Sequence, residues 1–170
     1  LNTDSIKNVM KENTVFYGPV ECFKIFRTKK HNIVQPGFKA EISGISIIAV
    51  PAYNIVKNQF HAKEKKWVGY IIIVNGIKIY IAGDTERIPE MASINSDISI
   101  LPLGQTYTMG SLGEAVLAAV DTKAKVIIPY HYGGGEGTLE DAKKFCSLIK
   151  QKGLKCILKQ KLASNQEPVH

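Results

Sequence analysis

Apolar residues between positions 38 and 82 either alternate with polar ones or form short continuous runs, and both patterns predict β-strands there. Residues 38–42 and 45–50 follow a period of two on either side of a Ser-Gly pair, which indicates a hairpin. Residues 68–74 and 77–82 are apolar runs joined by Asn75-Gly76, the dipeptide most typical of a tight hairpin turn. The pattern therefore predicts two successive hairpins.

The second half of the chain alternates between strand and helix patterns. Residues 98–103 and 126–129 are short apolar runs of the kind found in buried strands, and a last strand is predicted at 156–158. Ser111 and Thr138 precede segments with helical spacing and are suitable N-caps. The apolar positions of these two helices are Leu112, Ala115, Val116 and Ala119, and then Ala142, Phe145, Cys146 and Ile149.

The first 37 residues carry weaker signals. Thr3 is the expected N-cap of a short helix, a brief strand is predicted at 14–17, and residues 20–26 suggest a second short helix. A polar stretch of about a dozen residues follows residue 54, and loops of that length in compact domains are usually functional or mobile.

The composition is that of an ordinary soluble domain. The chain has 170 residues, 45% of them hydrophobic, so residues 1–170 are expected to form one domain with 159–170 as a polar tail. No apolar run approaches a membrane span, and the first residues do not resemble a secretion signal, so we expect a cytoplasmic protein without a membrane span. The three cysteines form no C-x-x-C and are odd in number, which favours buried free thiols.

The formal net charge of +7 raises the question of an anionic partner. The lysines are spread along the chain, and no stripe of interleaved aromatic and basic residues suggests nucleic-acid binding. The densest basic cluster, residues 57–66, contains His61. A solvated surface explains most of the lysines, and this cluster is a candidate for steering a negatively charged substrate.

Two predicted strands end in side chains that bind metals. Asp84 follows one strand directly after Gly83, and His131 follows another. Carboxylate and imidazole together are typical ligands of zinc, manganese and iron. Each residue also has an ordinary structural interpretation, because an Asp after a strand often forms a turn or N-cap and a lone His is often a hydrogen-bonding partner. The glycines 133–135 after His131 favour the functional interpretation, since they let a loop approach a ligand closely.

The order of the motifs resembles the metallo-β-lactamase superfamily. The motifs are PAYN, H-x5-W-V-G-Y, Y-I-A-G-D-T-E, I-L-P-L-G-Q-T-Y-T-M and I-I-P-Y-H-Y-G, and the resemblance covers residues 14–152. It is greatest to the small metal-dependent hydrolases that include the ascorbate-6-phosphate lactonases and are related to N-acyl-phosphatidylethanolamine phospholipase D. The resemblance implies an α/β (α+β) fold, a four-layer αββα sandwich, with a dinuclear metal site at the rim of the sheets.

The resemblance also implies roles for individual residues. Asp84 matches the metal-bridging aspartate of the family, and His131 matches its last metal-binding histidine, so both are expected to be catalytic. The family's H-x-H-x-D-H signature is absent, which suggests a chain that begins downstream of it and is N-terminally incomplete. Asn54 stands where relatives carry another histidine ligand. We favour His61 as the replacement ligand and Asn54 as its hydrogen-bonding neighbour, and the opposite assignment stays open.

The implied activity is hydrolysis of a small anionic substrate, an ester, lactone or phosphoester, by a metal-activated hydroxide. Asn54, Gln105 and Tyr107 are candidates for holding the substrate. Two ions, zinc or else manganese or iron, are expected in the complete protein, with weak or absent binding in this chain.

The alternatives are a nucleic-acid-processing member of the superfamily and a binding protein that has lost its ligands. The sequence is compatible with a homo-oligomer.

Overall fold

A seven-stranded mixed sheet organises the fold. The computed structural model describes residues 2–133 and 136–159. The strands of this sheet lie side by side in chain order, antiparallel from β3 to β6 and parallel from β6 to β9. They are β3 (Lys39–Ile42), β4 (Ile45–Pro51), β5 (Val68–Val74), β6 (Ile77–Ile81), β7 (Ile98–Pro102), β8 (Val126–Tyr130) and β9 (Lys155–Cys156).

The two predicted hairpins are confirmed, and their turns show why the sequence specifies them. Asn75 and Gly76 both have positive φ angles, 49° and 78°, as a two-residue turn matched to the twist of its strands requires. Ser43 and Gly44, between β3 and β4, adopt the same pair of conformations, at 52° and 78°. The second hairpin brings the start of β5 beside the end of β6, because Tyr70 pairs with Ile81.

Two helices cover one face of the sheet. They are α3 (Leu112–Asp121) and α4 (Leu139–Gln151), and their buried sides join the sheet in one large core that contains Tyr80, Leu101 and Ile127. Both predicted caps are confirmed: the Ser111 hydroxyl accepts a hydrogen bond from the Glu114 N–H, and Thr138 forms a reciprocal capping box with Asp141. The helices thus fix the sheet whose strand ends carry the candidate site.

The opposite face of the sheet carries a second, smaller layer. The elements there are α1 (Thr3–Val9), β1 (Phe16–Gly18), α2 (Val20–Ile25) and β2 (His31–Ile33), with β1 and β2 paired in parallel. The Tyr70 hydroxyl donates to the Tyr17 carbonyl, and Tyr17 packs beside Phe38, so β1 is attached to the large sheet. The expected αββα class is confirmed, although the second sheet has only two strands among the described residues.

Much of this second face stays partly exposed. Because side chains alternate along a strand, the isoleucines next to the core positions point away from α3 and α4. Those that remain partly exposed are Ile72, Ile79, Ile81, Ile98, Ile100 and Ile128.

The structure corrects two sequence predictions, and two others concern residues outside the described part of the chain. The N-cap of α1 is Asn2, whose side chain accepts from two backbone N–H groups, rather than Thr3. Cys146 and Cys156 form a disulfide instead of two thiols, because α4 and β9 bring their Cα atoms to 5.2 Å, whereas Cys22 is free. Glycines 134–135 and the tail from residue 160 lie outside the described residues. No helix among the described residues is long and apolar enough to span a membrane.

Candidate metal centre

Asp84 lies at the edge of the sheet because the chain turns sharply after β6. Gly83 has a φ of 71° and passes the Val68 carbonyl closely, since a Cβ at Gly83 would lie 3.1 Å from that oxygen. The Tyr130 hydroxyl donates a 2.5 Å hydrogen bond to the Gly83 carbonyl. Burial raises the pKa of Tyr130, and the nearby Asp84 carboxylate raises it further, so the phenol remains a donor. The Asp84 side chain is 47% exposed.

His131 reaches Asp84 from the end of β8. It has a φ of 63°, which is uncommon for a residue with a Cβ and often marks a functional position. Its Nε2 atom lies 3.5 Å from Asp84 Oδ1. The expected proximity of Asp84 and His131 at one rim is therefore confirmed.

His61 also reaches Asp84, although it belongs to the long polar loop before β5. Its Nε2 atom lies 3.8 Å from Asp84 Oδ2, and its ring packs edge-on against Trp67. The two carboxylate oxygens of Asp84 thus each face a different imidazole. The loop is therefore folded over the rim, with the His61 imidazole beside Asp84.

Asn54 lies next to His61, since its amide nitrogen is 3.2 Å from His61 Nδ1. Its side chain is buried, at 2% exposure for the residue, and its amide nitrogen donates to the carbonyls of Tyr107 at 2.7 Å and Lys57 at 3.2 Å. Its Oδ1 atom is buried without a hydrogen-bond partner among the described residues. Asn54 therefore contacts the same carbonyl, that of Tyr107, as the His61 ring does.

The other two predicted substrate-binding residues contribute their backbones. Gln105 is exposed, and its carbonyl accepts from the Lys57 ammonium at 2.9 Å. The Tyr107 side chain is largely exposed and packs edge-to-face against Phe60, while its carbonyl accepts from Asn54 and lies 3.1 Å from His61 Nδ1. Their loop thus frames the rim, and their side chains make no contact with Asp84 in the described contacts.

Two buried glutamates support the site, and sequence reasoning missed both. Glu86 accepts hydrogen bonds from the N–H groups of Ile55, Val56 and Lys57 and so anchors the start of the loop that carries His61. Glu136 lies 2.6 Å from His131 Nδ1. A signal existed for each: Glu86 ends the motif that contains Asp84, and Glu136 directly follows the glycines after His131.

A cavity of about 360 Å³ opens next to the rim. Asp84, His61 and Glu21 contribute polar groups to its lining, and Cys22, Ile25 and Trp67 belong to its wall. Burial raises the pKa of the Cys22 thiol, which keeps it neutral and poorly nucleophilic. The arrangement suits a small molecule with a polar reacting group next to an apolar portion.

The side chains at the rim are of types that bind metal ions, but they do not form a complete set of ligands. Within residues 2–133 and 136–159, no group of three or more His, Cys, Asp or Glu side chains has the spacing of a metal site. Zinc ligands lie at about 2.0–2.2 Å from the ion, so two donors of one ion are roughly 3–3.5 Å apart. The separation of His131 from Asp84 agrees with this range, whereas that of His61 is slightly larger.

Comparison with known proteins identifies a common family. The Beta-lactamase superfamily domain matches residues 4–132. A UPF0173 metal-dependent hydrolase from Thermococcus onnurineus (strain NA1) is 32% identical over 124 residues, which cover 70% of this chain and 54% of the relative. A second such protein, from Archaeoglobus fulgidus, is 33% identical over 132 residues, or 69% of this chain and 54% of its own length. The chain thus spans about half the length of these relatives.

Solved structures share the architecture described above. A crystal structure from Parabacteroides distasonis ATCC 8503, of a proposed metal-dependent hydrolase, has a TM-score of 0.81 and 31% identity and covers 94% of this chain and 70% of its own. Igni18, a metallo hydrolase from Ignicoccus hospitalis KIN4/I, has a TM-score of 0.73 at 22% identity and covers 92% and 70%. The second similarity supports the fold alone.

Proposed function

Because this chain belongs to the β-lactamase superfamily, we propose that it provides part of the active site of a metal-dependent hydrolase, with His61, Asp84 and His131 among the metal ligands. The observation that carries the proposal is the convergence of two imidazole Nε2 atoms on the two oxygens of Asp84. Two imidazoles and a carboxylate are a donor set suited to zinc, manganese or iron.

The contacts of the two Nδ1 atoms are different. His61 Nδ1 lies within hydrogen-bond distance of the Tyr107 carbonyl, an acceptor, so the Nε2 atom of the neutral ring is left for an ion. His131 Nδ1 lies 2.6 Å from Glu136 Oε1, but this oxygen has no hydrogen-bond partner among the described residues. With one carboxylate oxygen facing each imidazole, Asp84 would hold a metal ion together with the two histidines. A metal ion bound there would supply a water molecule of lowered pKa as the hydrolytic nucleophile.

We propose a small ester, lactone or phosphoester as the substrate. The cavity beside Asp84 would take the organic portion of such a molecule along Ile25 and Trp67 and exclude water from it. Gln105 and Tyr107 lie at the rim, where they would contact the part that projects outward. Two lysines of the basic cluster at residues 57–66 are engaged within the protein. Lys57 donates to backbone carbonyls, and Lys63 pairs with Glu90. Steering of an anion would rely on the other lysines of this cluster.

Metal binding and hydrolysis test this proposal together. Zinc titration of the 170-residue chain should show binding that Asp84→Asn and His131→Ala each weaken by at least about 10-fold, because each removes a proposed ligand. We expect weak binding, below about one equivalent after dialysis, since catalytic zinc usually has about three protein ligands. Lys143→Ala, on the exposed side of α4, is the control.

The activity assay uses a panel of activated esters, lactones and phosphodiesters with added zinc, manganese or iron. Turnover that requires the metal and is lost in Asp84→Asn supports the hydrolase. Equal zinc affinity in all four proteins would refute the proposed ligand set, and metal-independent turnover would refute the mechanism.

A further inference from the structure

We infer that a second cavity, next to the one beside Asp84, is a separate ligand site that takes a small aromatic anion. This cavity has a volume of about 440 Å³, within the range of roughly 300–1,000 Å³ that ligand pockets occupy. We call it the Lys66 cavity, and the side chains that give it its chemistry are Tyr53, Lys63, Lys66 and Trp67. Trp67 lines both cavities, so the two are neighbours.

The charges that line the two cavities are of opposite sign. Lys63 and Lys66 line the Lys66 cavity, and none of the described residues in its lining carries a carboxylate. The neighbouring cavity is lined by Glu21 and Asp84, and none of its described lining residues is a lysine or an arginine. In the metal-free protein an anionic group is therefore favoured in the Lys66 cavity and disfavoured in the other.

Lys66 is the lysine of this cavity that is left to pair with a ligand. Lys63 Nζ lies 3.3 Å from Glu90 Oε1 and donates to the Tyr53 hydroxyl at 3.1 Å, so its charge is compensated within the protein. Within residues 2–133 and 136–159, no carboxylate forms a salt bridge with Lys66. The ammonium of a lysine is a compact charge on a flexible stem, so Lys66 can pair with an anionic group bound next to it.

Trp67 provides the surface for the aromatic part of the ligand. Its indole is a rigid apolar ring of the kind on which another aromatic ring packs favourably. Pro36 and Pro51 also belong to the lining, and neither has a backbone N–H that would need a partner there. The Lys66 cavity thus combines apolar surface with the positive charge of Lys66, and a small aromatic anion matches both.

The fluorescence of Trp67 reports binding directly, because it is the only tryptophan in the chain. The metal-free 170-residue protein is titrated with phenyl phosphate, and phenol is the uncharged probe. We expect a saturable change in fluorescence with phenyl phosphate and binding of phenol that is weaker by about 5-fold or more, the upper range for one solvent-accessible ion pair. Added salt should weaken the binding of phenyl phosphate and not that of phenol.

Three variants identify the cavity that binds the probe. Lys66→Gln removes the charge and nearly keeps the side-chain length, so it should weaken phenyl phosphate binding by about 5-fold and leave phenol binding unchanged. Lys65→Gln is the matched control, because Lys65 is the adjacent exposed lysine and does not line the cavity. Glu21→Gln removes a negative charge from the neighbouring cavity and should also have no effect.

Three results would each overturn the inference. They are the absence of a saturable response to phenyl phosphate, equal losses in Lys65→Gln and Lys66→Gln, and tighter binding in Glu21→Gln, which would place the probe in the cavity beside Asp84. The site does not depend on the proposed metal ligands, because the titration contains no metal ion. Failure of this inference would therefore leave the proposed hydrolase unaffected, and the reverse also holds.

Discussion

His61 Nδ1 lies 3.1 Å from the main-chain carbonyl oxygen of Tyr107, and this contact determines which nitrogen of His61 is free. A carbonyl only accepts, so the neutral ring donates from Nδ1 and its Nε2 atom faces Asp84 without a proton. Asn54 donates to the same carbonyl, and its amide nitrogen lies 3.2 Å from Nδ1. The two amide hydrogens of Asn54 have the carbonyls of Tyr107 and Lys57 as acceptors, so the amide supports the Tyr107 carbonyl and has no hydrogen left for the ring.

The first prediction separates the roles of these two residues. His61→Ala should lower zinc affinity more than Asn54→Ala, because one removes a proposed ligand and the other only the support behind it. We expect a loss of about 10- to 100-fold for Asn54→Ala and a larger one for His61→Ala. Calorimetric titration with zinc measures both, with Asn58→Ala, an exposed change in the same loop, as the control. Unchanged affinity in His61→Ala would mean that His61 is not a ligand.

The second prediction concerns Glu86, which holds the loop that carries His61. Its carboxylate accepts from Ile55 and Val56 at 2.7 Å and from Lys57 at 3.0 Å. Glu86→Gln introduces a donor that faces these N–H groups, so it should lower the free energy of unfolding by about 1–3 kcal/mol. Amide exchange of residues 55–57 should become faster. Glu64→Gln, in an exposed turn, should change neither, and protection equal to that of the unmodified chain would contradict the anchoring role.

The convergence of Asp84 and His131 was predictable because local signals determine it. The Asn75-Gly76 turn fixes the register of β5 against β6, and β6 then ends at Gly83. The parallel strands β6, β7 and β8 end at the same edge, so residues that follow them lie close together. The site therefore follows from strand ends that can be recognised in the sequence.

The supporting residues were not predictable in this way, because contacts between distant segments create them. Glu136 acts on a loop about 30 residues earlier in the chain, and Glu86 acts on one about 30 residues earlier as well. No periodicity marks such a pairing. The strand β2 was missed for a related reason: its three residues are all exposed, and its pairing with β1, a separate segment of the chain, is what makes it a strand.

The third prediction concerns the cysteines. The pairing of Cys146 with Cys156 follows from the return of the chain from α4 to β9, a separation of 10 residues. The unfolded, unreduced protein should therefore contain one titratable thiol, from Cys22, and three after reduction. Replacing both paired cysteines by serine should cost about 3 kcal/mol, the amount expected for a loop of this length. Cys22→Ser is the control, and three thiols before reduction would contradict the pairing.

The last prediction concerns pH and the attachment of the small layer to the large sheet. The Tyr70 hydroxyl donates to the Tyr17 carbonyl at 3.1 Å, and burial, with a smaller effect of Cys22, raises the pKa of Tyr70 to about 12. The ordinary pKa is about 10. Because this pKa is raised in the folded state, Tyr70 contributes stability that is fully present below pH 10 and is lost as the pH rises through about 12. At that pH the folded protein must either bury a phenolate or separate the small layer from the large sheet.

The effect of Tyr70→Phe on stability should therefore depend on pH. Near neutral pH it removes the hydrogen bond and should cost about 0.5–1.5 kcal/mol of unfolding free energy. Between pH 10 and 12 the unmodified protein loses stability through Tyr70 and the variant does not, so the difference between them should shrink. Urea unfolding at several pH values measures this, and tyrosinate absorbance should show one fewer group titrating late. A difference that stays constant or grows from pH 8 to pH 12 would show that Tyr70 does not couple ionisation to the packing of β1.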